Sequence, residues 1–371
     1  MSSLPAFQFV TCQQGAENVI KSAVAQQMPA WNFAYSRPGF LTFKAAEPME
    51  AEAALIAQQT PFARSGGWTI DRIVAESAAE RAAQFWAMAA ELPFSAIHVW
   101  QRDHVAPDRS NFEPGNPAAA AEAVAAIAAA APDSHAPWRD VAAFNRTAGR
   151  GQQVLDCILI DENSWCLGRH RADRIESRWP GGVPALERPE PMVSRAYLKM
   201  AEALAWSRLP LQAGDRCVEI GSAPGGASQC LLERGLWVMG IDPADMDPAI
   251  AAHPNFVHVR KRGADLKRSA YRSIRWLAAD MNIVPAATLD IVEAIVTHRQ
   301  VQIRGLLLTL KLRDWTLVDE IPAQLDRIRS WGYRDVRTRQ LGYNRREICV
   351  AALKSRAQRR SPVRRKFSGS S

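Results

Sequence analysis

The chain has 371 residues, 47% hydrophobic and 23% charged, with 46 lysines and arginines against 38 aspartates and glutamates. That composition fits a folded protein of two to three domains and excludes both a low-hydrophobicity disordered chain and a disulfide-stapled miniprotein. The net charge of +8 is unevenly spread: residues 1–190 hold 16 basic and 21 acidic side chains, residues 191–354 hold 24 and 17, and residues 355–371 hold six and none.

From the N-terminus, Ala6–Val10 reads as a strand and Ala16–Gln27 as an amphipathic helix. Trp31–Tyr35 and Phe40–Lys44 read as strands around the turn Ser36-Arg37-Pro38-Gly39. This β-α-β-β start predicts a small α+β region. A helix is predicted over Ile73–Leu92 and a strand over Ser95–Gln101. The alanine-rich run 117–131 reads as a plain helix or a tolerated surface insertion. Gln153–Ile160 and Trp165–Gly168 form a predicted hairpin. Between Trp179 and Pro191 the sequence WPGGVPALERPEP cannot continue a helix or a sheet, so a boundary is placed there.

Beyond it strand and helix alternate. A helix starts at Arg195, and strands are predicted at Arg216–Ile220, Trp237–Ile241, Phe256–Val259, Ser273–Ala278, Leu306–Leu312 and Arg346–Leu353. Further helices are predicted over Gly226–Arg234, Leu289–Arg299 and Ile321–Trp331. The rhythm predicts a doubly wound α/β sheet. The expected division is an N-terminal region over 1–178, a linker over 179–193, an α/β domain over 194–354 and a disordered basic tail over 355–371.

The six cysteines form no CxxC pair and the seven histidines no HxxxH or HxH, so no metal site is expected and a reducing compartment is. The start lacks a signal-peptide pattern and no 18-residue uncharged apolar run occurs, so a cytoplasmic protein without a membrane partner is expected.

The densest chemical signal is Cys217-Val-Glu-Ile-Gly-Ser-Ala-Pro-Gly-Gly226, an apolar strand ending in a glycine-rich turn that opens a helix. Such a turn lets a ligand approach bare backbone. Gly221 is followed by Ser222 and Ala223, so the second glycine that admits a pyrophosphate in GxGxxG is missing. The next strand ends in Asp242, where a carboxylate can accept from two ribose hydroxyls. Together these features suggest a nucleoside-bearing ligand without phosphates, such as S-adenosylmethionine.

VEIGSAPGG resembles the cofactor loop of the FtsJ-like (RrmJ-type) 2′-O-ribose RNA methyltransferases. The resemblance implies a Lys-Asp-Lys-Glu tetrad, matched in order by Lys199 in SRAYLK, Asp280 in the Asp280-Met281 pair, Lys311 ending LLLTLK and Glu347 opening REICVAAL. It tightens toward the RlmM type, methyltransferases of a cytidine ribose in 23S rRNA with an N-terminal THUMP-containing extension. SRAYLKMAEAL, RGLWVMGIDPADM and RQLGYNRRE carry that likeness, which covers roughly residues 5–353 and is faint before residue 190. It implies a Rossmann-like methyltransferase sheet preceded by a smaller ferredoxin-like or THUMP-like α+β region. It also implies cofactor contacts from Ser194, Gly221, Ala223, Pro224, Gly225, Gly226, Asp242 and Asp280. Where the family type has an adenosine-binding acid this chain has Arg262, and the nearest acid is Asp265.

Methyl transfer to a ribose hydroxyl is an in-line displacement in which the oxygen must lose a proton. A neutral amine can take it, yet a free lysine at pKa ~10.4 is seldom neutral. A second cation and burial lower that pKa, so Lys199 and Lys311 in one site would suit a base, while Asp280 and Glu347 pull the other way. The run with Arg260, Lys261, Arg262, Lys267 and Arg268 holds, up to Arg275, seven cations and one acid. It reads equally as a solvated face and as a phosphate-tracking RNA patch. A different RNA such as tRNA, or a non-catalytic RNA-binding relative, are the alternatives.

Overall fold

The computed structural model describes residues 6–47, 55–107, 109, 112–115 and 117–355. The chain forms two compact units, residues 1–185 with 339–345 and residues 186–338 with 346–371. The expected basic tail lies outside the described residues, apart from Ser355.

The first unit runs β1 (Phe7–Cys12), α1 (Glu17–Gln27), β2 (Trp31–Arg37), β3 (Phe40–Ala45), β4 (Ala63–Val74), α2 (Ala78–Ala89), β5 (Ala96–Gln101), α3 (Pro117–Ala129), β6 (Gln153–Asp161) and β7 (Ser164–Arg171). Its seven strands lie in the order β2-β3-β1-β4-β7-β6-β5. Neighbours pair antiparallel except β5 with β6. The β-α-β-β start takes shape as read, but the 12-residue β4 was not expected, and the helix predicted from Ile73 begins at Ala78. Ser65-Gly66-Gly67 looks like a chain breaker in sequence. In the sheet these glycines admit close neighbours: a Cβ at Gly66 would lie 2.6 Å from Ala57, and one at Gly67 would collide with the Arg169 carbonyl oxygen and lie 2.9 Å from the Phe9 ring. Ser77 and Glu80 cap α2 reciprocally, which fixes its start.

The alanine-rich run is a core helix, not a surface insertion. Ala120, Ala123, Val124, Ile127 and Ala128 are buried against Phe85 and Trp86 of α2, and the Trp86 indole donates to the Ile127 carbonyl at 2.7 Å. Small side chains let the two helices approach closely. The segment expected as a linker is divided: Trp179, Gly181 and Gly182 are buried within the first unit, where the Gly182 carbonyl accepts from Arg339 at 2.8 Å. Residues 339–345, expected in the α/β domain, also belong to the first unit, with the Gln340 amide donating to the Pro61 carbonyl.

The second unit runs α4 (Ala196–Ser207), β8 (Arg216–Ile220), α5 (Gly226–Leu232), β9 (Trp237–Ile241), α6 (Pro248–Ala251), β10 (Phe256–Val259), β11 (Trp276–Ala279), α7 (Pro285–Val296), β12 (Gly305–Lys311), α8 (Ile321–Ser330), β13 (Asp335–Arg339) and β14 (Glu347–Leu353). The sheet order is β10-β9-β8-β11-β12-β14-β13. The strands from β10 to β12 pair parallel and β14 runs antiparallel to β12. This is the Rossmann-like α/β sheet expected. Leu306, Leu308 and Leu310 are fully buried, and all of β14 is buried, which is why these strands read as continuous apolar runs. β13, with the sequence DVRTR, lacks such a run and was not visible in sequence.

Candidate active site

The parallel strands all end on one edge of the second sheet, and β14, running the other way, begins there. Lys311 at the end of β12 stands directly opposite Glu347 at the start of β14. Asp280 follows β11, and Lys199 sits on the first turns of α4. Four residues separated by up to 148 positions therefore meet through strand register and one helix.

Their charges alternate around a ring. The Lys311 ammonium lies 2.6 Å from Asp280 Oδ1 and 2.5 Å from Glu347 Oε2. The Lys199 ammonium lies 3.4 Å from Asp280 Oδ2 and touches Glu347 Oε1. Burial by itself lowers the Lys311 pKa, but Asp280 and Glu347 outweigh it and the net shift is upward. Burial raises Glu347, yet the two ammoniums dominate and hold it well below the usual carboxylate range. The like-charge lowering that the lysine pair suggested is thus overridden, because each lysine touches both carboxylates.

The glycine turn lies beside this ring. Gly221 has φ +81°, and a Cβ there would lie 2.5 Å from the Asp280 carbonyl oxygen, so only glycine lets the turn pass so close. Gly225 has φ +120° and precedes α5. A Cβ on Gly226 would collide with Ser194, which thereby sits against the turn ahead of α4. The Ala223–Pro224 peptide is cis. Asp242 follows β9, its oxygens accepting from the amides of Ala223 (3.1 Å) and Ala244 (2.8 Å), so it braces the turn that it borders. Asp265 is exposed in the loop after β10. That loop packs onto the end of β8, where a Cβ on Gly263 would lie 2.7 Å from Ile220.

One residue was missed. Glu219 is buried beneath the turn and accepts from Ser228 Oγ at 2.5 Å. Burial is the largest influence on it; the Ser228 bond lowers its pKa, Asp280 and Asp242 raise it, and the result is about 8. An acid in the middle of VEIG was the available signal. Bare backbone at the turn and the Asp242 carboxylate that borders it suit a nucleoside with free ribose hydroxyls. The residues therefore fit S-adenosylmethionine, a sulfonium that also bears an ammonium.

The basic run is partly spent. Arg260 pairs with Asp245, and Arg268 donates to the Leu266 carbonyl at 3.0 Å. Lys261, Arg262 and Lys267 are exposed. Among the described residues no group of His, Cys, Asp and Glu side chains is placed to hold a metal ion, and no helix is long and apolar enough to cross a membrane. The six cysteines are buried and free.

Residues 192–308 match the FtsJ-like methyltransferase family. The chain is 30% identical over 272 residues to the ribosomal RNA large subunit methyltransferase M of Halorhodospira halophila, covering 65% of this chain and 76% of that protein. It is 31% identical over 209 residues to the protein of the same name from Azoarcus sp., covering 53% and 56%. It is 32% identical over 190 residues to that of Alkalilimnicola ehrlichii, covering 48% and 51%. With the latter two the match spans about half of the relative's length. A solved structure, TrmN from Thermus thermophilus, aligns over 94% of this chain and 99% of its own at 12% identity and a TM-score of 0.35, a level that carries no argument.

Proposed function

This chain belongs to the ribosomal RNA large subunit methyltransferase M family of S-adenosylmethionine-dependent, FtsJ-like enzymes, and on that premise we propose that it methylates the ribose 2′-hydroxyl of a cytidine in 23S rRNA. The observation that supports this most is the alternating ring of Lys199, Asp280, Lys311 and Glu347 beside the glycine turn.

The cofactor, when bound, supplies a methyl group on a sulfonium. Lys311 Nζ would take the proton from the 2′-hydroxyl as that oxygen receives the methyl group. Because its carboxylate neighbours raise its pKa, Lys311 rests as an ammonium and must first lose that proton. Lys199 keeps the carboxylates from holding Lys311 alone, and Glu347 stays ionised and fixes both amines. Asp242 takes the cofactor's ribose hydroxyls. Ser194, Gly221, Ala223, Pro224, Gly225, Gly226, Asp265 and Asp280 form the rest of the cofactor site. Lys261, Arg262 and Lys267, with weaker help from Arg260 and Arg268, track RNA phosphates. The first unit serves as the THUMP-like RNA-binding region.

The test is Lys311→Ala in single-turnover transfer of labelled methyl to a 23S rRNA transcript. General-base loss should slow transfer by about 10²–10⁴-fold, with calorimetric cofactor affinity held within a few-fold. A near-normal rate would remove Lys311 from the role of base, and mapping the modified nucleotide tests the cytidine.

A further inference from the structure

The sheet of the second unit has another edge, where the parallel strands begin, and a row of cations runs along it. Arg216 stands opposite Trp237 at the start of β9. Trp276 pairs with both Cys217 and Gly305, which sets Arg275 level with Arg216 and Arg304; Gly305 pairs with Leu353, which sets Arg304 level with Lys354. Backbone hydrogen bonds tie the row together: Arg275 N to Arg216 O at 2.9 Å, Arg304 N to Arg275 O at 2.7 Å and Lys354 N to Arg304 O at 3.2 Å. At about 4.8 Å per strand the five in-register residues extend about 19 Å.

Like charges side by side on neighbouring strands are destabilising. The acid at this edge, Asp215, accepts from the Trp276 indole at 2.9 Å and from the Gln212 amide. Among the described residues Arg216, Arg275 and Lys354 form no ion pair. Burial and the neighbouring Arg275 lower the pKa of Arg304, and Asp215 opposes them without reversing the shift. Aromatic faces hold two of the cations in place, Arg304 over Trp276 at 5.5 Å and Lys354 over Tyr333 at 5.8 Å. Trp237 closes the row with 45% of its surface exposed, among the largest apolar exposures of the described residues. Past Lys354 the sequence continues with six basic and no acidic residues.

We propose that this edge is a second RNA-binding surface, in which Arg216, Arg275, Arg304 and Lys354 run along a phosphodiester backbone and Trp237 stacks on an unpaired base. A polyanion offsets the crowding of like charge, and the exposed Trp237, in register with Arg216, favours a strand with free bases. β12 connects the two edges, so the surface lies about 23 Å from Lys311 at ~3.3 Å per residue, a span that a large folded RNA covers. The inference deepens the reading of the chain as an rRNA methyltransferase and rests on it.

The experiment uses the full chain, a fluorescein-labelled 20-nucleotide oligouridylate and a 23S rRNA transcript. The triple variant R216Q/R275Q/K354Q should bind the oligomer at least tenfold more weakly at 100 mM KCl. Its slope of log affinity against log salt should shrink by about 2, since each single-strand phosphate contact contributes about 0.7. W237A should weaken binding several-fold with the slope unchanged. Calorimetric cofactor affinity within twofold of wild type reports a folded protein. If the triple variant loses it, R216Q alone must shrink the slope by about 0.7. Wild-type affinity and slope in the folded variants would overturn the surface while leaving methyl transfer intact. If the wild type does not methylate the transcript yet the slopes differ as stated, the target assignment fails and the surface stands.

Discussion

Glu347→Gln is the substitution on which the site's electrostatics can be judged. Glu347 is 3% exposed and touches both ammoniums, while Asp280, the other shared partner, remains. One close opposite charge shifts a pKa by about 1–3 units, equal to about 1.4–4 kcal/mol. The variant's Lys311 should therefore titrate at least one unit lower than in the wild type. Removing one member of a buried pair costs about 3–5 kcal/mol of stability, and the lower end applies because Gln can still hydrogen-bond and Asp280 persists. The sign also follows: Glu347 is held below its unfolded pKa, so the stability it lends is present at neutral pH and lost on acidification through its folded pKa. Lys311 is held above its own, so its contribution is lost only as alkaline pH passes through its folded pKa. The assay is the single-turnover rate from pH 7 to 10.5. The wild-type rate should climb throughout, and the variant should level off at least one unit earlier, with a lower plateau because Lys311 is less firmly held. An alkaline limb at the same pH in both proteins would refute the claim that these carboxylates set the protonation of Lys311.

Asp242→Ala should weaken S-adenosylmethionine binding by about tenfold or more, since it removes a brace of the glycine turn and a ribose acceptor; unchanged calorimetric affinity would sink that role. Glu219, with its pKa raised to about 8, is largely protonated at pH 7, so binding a cationic cofactor should release a proton. Calorimetry in two buffers of different ionisation enthalpy measures it, and equal apparent enthalpies would count against it. Ile127→Ala in α3 should cost about 2–5 kcal/mol in denaturant unfolding of the first unit, because Ile127 is fully buried in its core; a loss below 1 kcal/mol would return the alanine-rich run to the surface.

The local signals were legible without coordinates. The β8–turn–α5 motif needs only contiguous residues, and Lys199, Asp280, Lys311 and Glu347 each sit at the end of an element whose apolar run or helical period is visible in the chain. β4 was lost because Gly66 and Gly67 look like a break until Ala57, Phe9 and the Arg169 carbonyl, from other parts of the chain, crowd against them. The alanine helix looked uninformative because its value lies in how closely Phe85 and Trp86 approach it.

Residue types and their positions along the chain thus determined the fold class and the glycine turn, while the resemblance to the FtsJ-like family picked out the four charged groups. Only the tertiary structure decided that the four alternate around a ring, that Lys311 is held protonated, that Glu219 lies beneath the turn, and that five residues on separate strands form one row. The reason is one of range. Local patterns fix which face a residue takes within its own element, whereas charge balance and cation rows depend on register between strands far apart in sequence, which no local period encodes.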